Sequence, residues 1–283
     1  MNGQTVLFIS DMRQVYLADI LNKKGHTVRC LDIRNKKIMR EQILKLEGFL
    51  GEADMLILPI PMTALLEQPE FLEVLNRNIR KETLILGGCF PETFRDWMEQ
   101  RGIASLDFMK DETVVEENAV ATAEGAIADV ILHSPYNIKE SKIIVAGYGK
   151  CGKAIAARLQ ALGARVTILA RKKESRREAK KNGFYAADFA FGPEEAMGAN
   201  VLINTVPAPV ITELIIRELP KDAYLLDIAS KPGGVDFKSA KEHGIAAELL
   251  LGIPGRYAPM ESACILARAI ERFSLRVNPA PEM

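Results

Sequence analysis

Short apolar runs alternate with longer amphipathic stretches along this chain, and the runs predict the strands of parallel sheets covered by helices. A strand that is buried on both faces is expected to be almost continuously apolar. In the first half, five runs indicate a small doubly wound domain: Val6–Ile9, Thr27–Leu31, Met55–Leu58, Thr83–Leu86 and Ile103–Leu106. Asp11 is a candidate N-cap for the helix that follows the first run.

The second half repeats this alternation and predicts six strands, the number in a complete Rossmann sheet. The runs are Lys142–Ala146, Arg165–Ala170, Phe184–Ala187, Val201–Thr205, Tyr224–Ile228 and Ile245–Leu250. An alanine-rich helix is predicted from Pro259 to Phe273.

A proline-free apolar stretch from Glu116 to His133 predicts one helix that bridges the two halves. The predicted organisation is an N-terminal α/β domain over 1–115, flavodoxin- or Rossmann-like, the bridging helix over 116–134, and a C-terminal Rossmann domain that binds NAD(P) over 135–283. A length of 283 residues suits two domains.

Composition excludes several classes of protein. Lys plus Arg equals Asp plus Glu, at 37 each, so no charge excess favours nucleic acid or an anionic membrane as a partner. The four cysteines and three histidines lack metal-ligand spacing. Neither a signal peptide nor an apolar stretch of membrane-spanning length occurs, so we expect a cytoplasmic protein.

The most specific motif is the run Gly147-Tyr148-Gly149-Lys150-Cys151-Gly152, which follows an apolar strand and opens a helix. In that context the glycines permit a tight turn, close approach of a pyrophosphate, and close packing of helix on strand. The helix N-terminus then presents free N–H groups to the phosphates. All six residues are predicted to bind a dinucleotide. The alternative is a glycine-rich turn without a ligand.

The end of the next strand indicates which dinucleotide is bound. An NAD-binding domain places Asp or Glu there, but this chain has Ala170-Arg171-Lys172-Lys173. Arg171 and Lys172 are therefore predicted to hold the 2′-phosphate of NADP, with help from Ser175 and Arg176. A solvated basic face at a helix start is the alternative.

Loops at the carboxyl ends of later strands should converge on the nicotinamide end, because ligands of open α/β sheets bind at that edge. Asp227 is a candidate both for cofactor binding and for catalysis. Lys231 is a candidate catalytic residue and Ser230 a candidate substrate ligand, although both also suit a simple turn before Pro232. Four residues of the preceding loop are predicted to bind the cofactor: Asn204, Thr205, Val206 and Pro207.

The first half carries weaker candidates for substrate binding. Arg13, after the first strand, suits a substrate carboxylate, and Thr63 follows the third strand. In the bridging helix, Thr122 is a candidate substrate ligand and Glu124 a candidate acid–base group. Gly125 costs helix stability, which a close approach of a ligand or another backbone would justify. Arg13 and Glu124 also suit ordinary surface positions.

Several motifs, taken in order, resemble the dipicolinate synthase A subunit across nearly the whole chain. They are Asp11-Met-Arg13-Gln14, Asn118-Ala-Val-Ala-Thr122-Ala-Glu124-Gly125, the glycine motif, Ile203-Asn204-Thr205-Val-Pro207, Leu226-Asp227-Ile-Ala-Ser230-Lys-Pro-Gly-Gly234-Val-Asp-Phe237 and Gly252-Ile-Pro-Gly255. The run from Ala229 to Phe237 is the most specific of these. The loop Ser10-Asp11 departs from the glycine-rich turn expected in relatives.

The resemblance implies oxidation of a dihydro- or hydroxytetrahydro-dipicolinate, an offshoot of lysine biosynthesis, to dipicolinate in the mother cell of a sporulating bacterium. It also implies NADP as acceptor and a flavoprotein-like B subunit as partner, in an oligomeric enzyme. A dicarboxylate substrate requires cations, and Arg13 and Lys231 are the candidates.

Two alternatives stay open. One is another two-domain dehydrogenase, similar to alanine, D-2-hydroxyacid or shikimate dehydrogenases. A hydroxyacid dehydrogenase would need a late catalytic histidine, and His243, at a predicted helix end, suits that role poorly. The other is a non-catalytic NADP-binding partner subunit, for which the glycine motif would look the same.

Overall fold

The computed structural model describes residues 3–34, 40–62, 65 and 68–277. Within these residues, the first five strands form one parallel sheet in the order β2-β1-β3-β4-β5, as in flavodoxin-like domains. The strands are β1 Gln4–Ile9, β2 Thr27–Asp32, β3 Met55–Ile57, β4 Leu84–Gly87 and β5 Ser105–Asp107.

Six further described strands form a second parallel sheet in the order β11-β10-β9-β6-β7-β8, the strand order of a Rossmann domain. They are β6 Lys142–Ala146, β7 Arg165–Leu169, β8 Tyr185–Ala187, β9 Val201–Asn204, β10 Tyr224–Asp227 and β11 Ala246–Leu249. All eleven lie within two residues of their predicted bounds. The predicted fold class is confirmed.

Helices connect the strands. In the first sheet's region they are α1 Met12–Lys23, α2 Arg40–Leu50, α3 Pro69–Asn78 and α4 Glu92–Gln100. The helix predicted as a bridge is α5 Glu112–His133, which begins four residues earlier than expected. The others are α6 Lys150–Ala161, α7 Lys173–Lys181, α8 Gly192–Ala196, α9 Glu213–Ile216, α10 Phe237–His243, α11 Ile253–Tyr257 and α12 Pro259–Val277, with a 3-10 turn at Phe189–Phe191.

Each sheet buries apolar side chains on both faces, which explains the nearly continuous apolar strands. In β1, Val6 and Phe8 contribute to one core while Leu7 contributes to the other. In β6, Ile143 and Val145 pack on one side and Ile144 on the other. Successive strand residues point to opposite faces, so helices must cover both sides of the sheet.

The chain divides into two compact units, one comprising 1–118 and 258–283 and the other 119–257. The last helix, α12, thus belongs with the N-terminal unit and not with the predicted C-terminal domain over 135–283. The reason is its apolar face, since Ala263, Leu266 and Ile270 share one core with Leu17 of α1. Within the described residues, no helix is both long and apolar enough to cross a bilayer.

Candidate functional site

The glycine motif forms a tight turn between β6 and α6. Gly147 has a φ of +98°, a conformation that favours glycine, and a Cβ there would lie 2.3 Å from Thr205 Oγ1. A Cβ on Gly152 would lie 2.3 Å from the carbonyl oxygen of Gly147. These two glycines therefore let the helix, the turn and the β9 loop pack closely together.

Gly149 has a different role, because a Cβ built there meets no atom of the described residues within 4 Å. Gly149 is the N-cap of α6, and within the described chain no side-chain hydrogen bond caps this helix. In this part of the structure the start of α6 therefore has no side-chain cap, and it carries the partial positive charge of a helix start. This arrangement fits the pyrophosphate of a dinucleotide.

The residues between the glycines of the motif differ in their environments. The Tyr148 side chain is buried in the core, where its ring packs against Phe184 and its hydroxyl accepts a hydrogen bond from Asn182. Its side chain therefore packs the core instead of binding the cofactor as predicted, and only its backbone is at the turn. Lys150 is half-buried in the first turn of α6.

Cys151 is also half-buried, and burial raises the pKa of its thiol while a hydrogen bond with Thr122 opposes the shift. Thr122 was predicted to bind substrate. Its contact with Cys151 instead ties α5 to the start of α6. Neither side chain is thereby shown to meet a ligand, and their predicted roles stay predictions.

The strand β7 ends beside the glycine turn, since the Gly147 N–H donates to the carbonyl of Leu169. Arg171 and Lys172, which follow Ala170 after this strand, are exposed, and Ser175 is half-buried in the first turn of α7. Arg176 points away from solvent and donates to the carbonyls of Ala170 and Arg171. The predicted 2′-phosphate role of Arg171 and Lys172 stays a prediction, whereas Arg176 is already bound by two backbone carbonyl groups.

The β9 and β10 ends are joined by a buried polar network. Asn204 and Asp227 are 0 % exposed, and Asn204 Nδ2 donates to Asp227 Oδ1 at 2.8 Å and to the Val206 carbonyl at 3.0 Å. The Val206 N–H donates back to Asn204 Oδ1 at 3.1 Å. Thr205 donates to the carbonyl of Ala146 at 2.8 Å, next to the glycine turn.

Asp227 accepts three further hydrogen bonds, from the N–H groups of Ala229, Gly234 and Val235. Four donors occupy both carboxylate oxygens of a side chain that solvent does not reach. This environment argues against the predicted catalytic and cofactor-binding roles, because no lone pair is directed to a ligand. Asp227 and Asn204 instead hold the loops that carry the exposed residues Pro207, Ser230 and Lys231.

Glu124 does not lie at the carboxyl edge of the second sheet. Its carboxylate is exposed and pairs with Nε of Arg158 at 3.4 Å, two turns down α6 from the glycine motif. This position argues against its predicted acid–base role. The neighbouring Gly125 is explained by packing, since a Cβ there would lie 2.3 Å from Ile253 and 2.8 Å from Tyr257.

In the N-terminal unit, Asp11 caps α1 as predicted, and Gln14 completes a capping box by accepting from the Asp11 N–H. Arg13 is buried, at 6 % exposure, and Asp11 binds its Nε and Nη2 groups at distances of 2.6–3.1 Å. Its substrate-binding role stays a prediction. Thr63 lies outside the described residues.

A loop that sequence reasoning missed follows β4. Cys89 is a non-glycine residue with a φ of +60°, and Asp107 accepts hydrogen bonds from the N–H groups of Cys89, Phe90 and Met109. Burial and Asp107 raise the pKa of Cys89, whereas Arg13 lowers it. Strained residues cluster at functional sites. The Gly87-Gly88 pair was the available sequence signal.

All three histidines of the chain lie within the described residues, and each is at the amino edge of its sheet. His26 immediately precedes β2, and His243 ends α10 just before β11. His133 ends α5 and packs its ring 5.7 Å from that of Tyr224, the first residue of β10. The carboxyl edges, where ligands bind in such sheets, therefore lack histidine.

Comparisons with known families divide the chain at the start of α5. Residues 10–109 match the N-terminal domain of the dipicolinate synthase A subunit, and residues 112–229 match the NAD binding domain of D-isomer specific 2-hydroxyacid dehydrogenases. A relative from Bacillus subtilis (strain 168), the dipicolinate synthase A subunit, is 33% identical over 171 residues. That alignment covers 60% of this chain and 57% of the relative.

Solved structures show the same fold. The dipicolinate synthase A subunit from Bacillus halodurans has a TM-score of 0.78 at 24% identity, covering 96% of this chain and 97% of that one. The corresponding chain of dipicolinate synthase from Bacillus subtilis also has a TM-score of 0.78, at 22% identity, with 98% and 97% covered. A phosphoglycerate oxidoreductase from Vibrio cholerae reaches 0.68 at 16% identity, with 99% and 100% covered.

The resemblance predicted from the sequence motifs is confirmed, and the match to an NAD-binding dehydrogenase domain supports an oxidoreductase with a nicotinamide cofactor. The chain is therefore similar to the dipicolinate synthase A subunit, and a region that matches the N-terminal domain of that subunit precedes a region that matches a dehydrogenase NAD-binding domain.

Proposed function

We propose that this chain is the A subunit of a dipicolinate synthase and oxidises dihydrodipicolinate, or its hydrated tetrahydro precursor, to dipicolinate with NADP⁺. One observation carries the proposal. The N-terminal domain typical of this subunit is joined to a Rossmann sheet whose glycine turn leaves the start of α6 open for a dinucleotide.

The preference for NADP⁺ is supported by the residues after β7. Arg171 and Lys172 are exposed there, where an NAD-binding domain would carry an acidic residue for the ribose 2′-hydroxyl. A guanidinium can bind a phosphate through two parallel hydrogen bonds. The family that matches this domain is described as NAD-binding, so the cofactor choice depends on this loop and not on the family.

When bound, the oxidised nicotinamide accepts a hydride at C4. Dihydrodipicolinate then loses one hydride from a ring carbon and one proton from the ring, leaving dipicolinate, NADPH and H⁺. From the hydrated precursor, water leaves as well. Aromatic product formation makes the reaction favourable, so the protein's main contribution is positioning. The proton can leave to water, which agrees with carboxyl edges that lack histidine.

A dicarboxylate substrate needs cationic groups. Lys231 is exposed after β10, on the loop that Asp227 holds. Arg13 is at the start of α1 with one edge of its guanidinium bound to Asp11, near the strained Cys89 loop. Each of these residues, in its own unit, is a proposed ligand for a substrate carboxylate. The proposal also includes a B subunit as partner, an oligomeric enzyme and a place in the mother-cell cytoplasm during sporulation.

The second candidate function is a 2-hydroxyacid dehydrogenase, which the match of residues 112–229 favours. Such a reaction requires a general base to take the hydroxyl proton while the hydride leaves. His243, the late histidine, is beside the amino end of β11, with Nδ1 3.0 Å from the carbonyl oxygen of Ser239. The proposed oxidation of a ring fits this arrangement better.

A coupled assay tests the proposal. The purified chain is mixed with the product of dihydrodipicolinate synthase and NADP⁺, with and without the B subunit, and NADPH is followed at 340 nm together with dipicolinate in the ultraviolet. Equal amounts of both products are expected. NADPH formation from 2-hydroxyacids instead, or dinucleotide binding without either product, would overturn the assigned reaction.

A further inference from the structure

We infer that Arg176 and Asp188 form a positioning pair that gives the site its preference for a 2′-phosphate. This inference rests on the proposed use of NADP⁺ and names residues that set it without touching the phosphate. Arg176 is on α7 and Asp188 follows β8, so both are outside the exposed group of Arg171 and Lys172.

The turn between β7 and α7 contains only Ala170, Arg171 and Lys172. Arg176 reaches back over it, and its Nη1 donates to the Ala170 carbonyl at 2.6 Å and to the Arg171 carbonyl at 2.7 Å. These carbonyl groups belong to the two peptide bonds on either side of the Arg171 Cα. With these carbonyl groups bound, the direction in which the Arg171 side chain leaves the backbone is set before any ligand binds.

Asp188 holds Arg176 in this position. Its Oδ2 lies 2.5 Å from Arg176 Nη1, and its Oδ1 accepts from the Ala190 N–H at 3.2 Å. The Arg176 side chain is 18 % exposed and that of Asp188 is 36 % exposed. Arg176 Nη1 has two N–H groups for three acceptors, so the contact with Asp188 acts mainly as a charge pair, and it connects the turn to the end of β8 as well as to α7.

Asp188 also affects specificity by its charge. An unpaired carboxylate near the end of β7 would repel a 2′-phosphate and would suit a ribose hydroxyl, as the acidic residue of NAD-binding domains does. Arg176 neutralises this carboxylate. The net charge that faces the ligand is then that of Arg171 and Lys172. Arg176 thus both orients the turn and neutralises Asp188.

The test compares dissociation constants of NADPH and NADH, measured by the fluorescence of the reduced nicotinamide in wild type and in four variants. Arg176→Met is expected to weaken NADPH binding about tenfold, which is about 1.4 kcal/mol, and to leave NADH binding unchanged or slightly stronger. Arg176→Lys should recover part of the loss, because an ammonium can neutralise Asp188 but lacks the planar geometry.

The double change Arg176→Met with Asp188→Asn separates orientation from charge. It is expected to recover part of the NADPH affinity, since the unmasked carboxylate is gone while the turn stays loose. Arg177→Met is the matched control. It removes one exposed positive charge from the same helix without affecting the turn, and should change the NADPH to NADH ratio less than twofold.

Unchanged NADH binding in Arg176→Met reports that the domain is folded, so a ratio that stays within twofold of wild type would overturn the inference. The same holds if Arg177→Met changes the ratio as much as Arg176→Met. A wild-type chain without preference for NADPH would overturn the proposed cofactor, and this inference with it. The wild-type chain thus tests the proposed cofactor, and the variants test the role of Arg176 and Asp188.

Discussion

Two loops of this protein have the same place in their sheets and opposite chemistry. Each joins the first strand of a doubly wound sheet to the following helix, β1 to α1 in one unit and β6 to α6 in the other. In the first, Asp11 and Gln14 form a capping box that satisfies N–H groups at the start of the helix. In the second, Gly149 is the cap and provides no side chain.

The same topology therefore supports two kinds of helix start. One is closed by a side-chain cap, and the other is left without a cap and can bind an anion. A capped N-terminus has its N–H groups occupied by a carboxylate, which also repels anions. An uncapped one keeps the same groups for a phosphate. Asp11 in addition binds Arg13, so the loop of the N-terminal unit offers a guanidinium where the other offers backbone N–H groups.

The two units agree in another respect, since each uses an aspartate at a strand end to hold a loop. Asp107 ends β5 and accepts three backbone N–H groups, and Asp227 ends β10 and accepts three together with the Asn204 amide. Buried carboxylates with such partners organise backbone. The two units therefore differ in how the helix after β1 or β6 is capped. They share the use of a buried aspartate at a strand end to hold the surrounding loops.

The largest effect is expected from Asp227→Ala. It leaves the Asn204 amide and three backbone N–H groups buried without their acceptor, which should lower the free energy of unfolding by about 3 kcal/mol. Guanidinium chloride unfolding measures this. Lys231→Ala, at an exposed position of the same loop, should change stability by less than about 0.5 kcal/mol. Full stability with lost turnover in Asp227→Ala would restore the catalytic role predicted from the sequence.

Gly149→Asp adds a side-chain cap to the start of α6, which has none among the described residues of the wild type. The φ of −85° and the free space around Gly149 accept an aspartate without strain. Its carboxylate should cap α6 and repel the pyrophosphate, so dinucleotide binding should weaken about a hundredfold, or about 2.7 kcal/mol, with stability kept. Fluorescence titration with NADPH measures the effect.

Gly149→Asn is the matched control, because it offers a similar cap without the charge and should weaken binding less. Equal affinities for the wild type and the aspartate variant would show that the phosphates bind elsewhere.

Arg171→Asp tests which dinucleotide the open site prefers. The substitution places an acid where an NAD-binding domain has one, so NADPH binding should weaken about tenfold and NADH binding should be kept or improve. Competitive titration of both dinucleotides gives the ratio. Lys180→Asp is a control with the same change of charge at an exposed site late in α7. Losses that are equal for NADPH and NADH would contradict the assignment of Arg171.

The smallest effect is expected at the closed helix start. Asp11→Ala should lower the free energy of unfolding by about 1 kcal/mol through loss of the cap, while the dissociation constant of NADPH stays unchanged. Asp11→Asn keeps a capping oxygen and should recover most of the stability. Thermal unfolding and NADPH titration of both variants measure this. A change in NADPH affinity would mean that the two helix starts are not independent.

Local patterns were sufficient for much of the fold. Strand positions, the N-cap at Asp11 and the glycine turn at Gly147 all follow from residues close together in the sequence. Burial on two faces produces apolar runs, and a positive φ or an absent Cβ requires glycine. Such constraints act on a few consecutive residues, so they can be recognised without a structure.

The sequence by itself therefore determined two doubly wound sheets, the glycine turn and a cationic strand end without an acid. Only the tertiary structure decided that Arg176 faces inward, that Asp227 is occupied by loop donors, that Tyr148 is in the core and that α12 packs with the N-terminal unit. The physical reason is that a polar side chain takes its role from its partners. Those partners are distant in the sequence and close only after the strands have assembled.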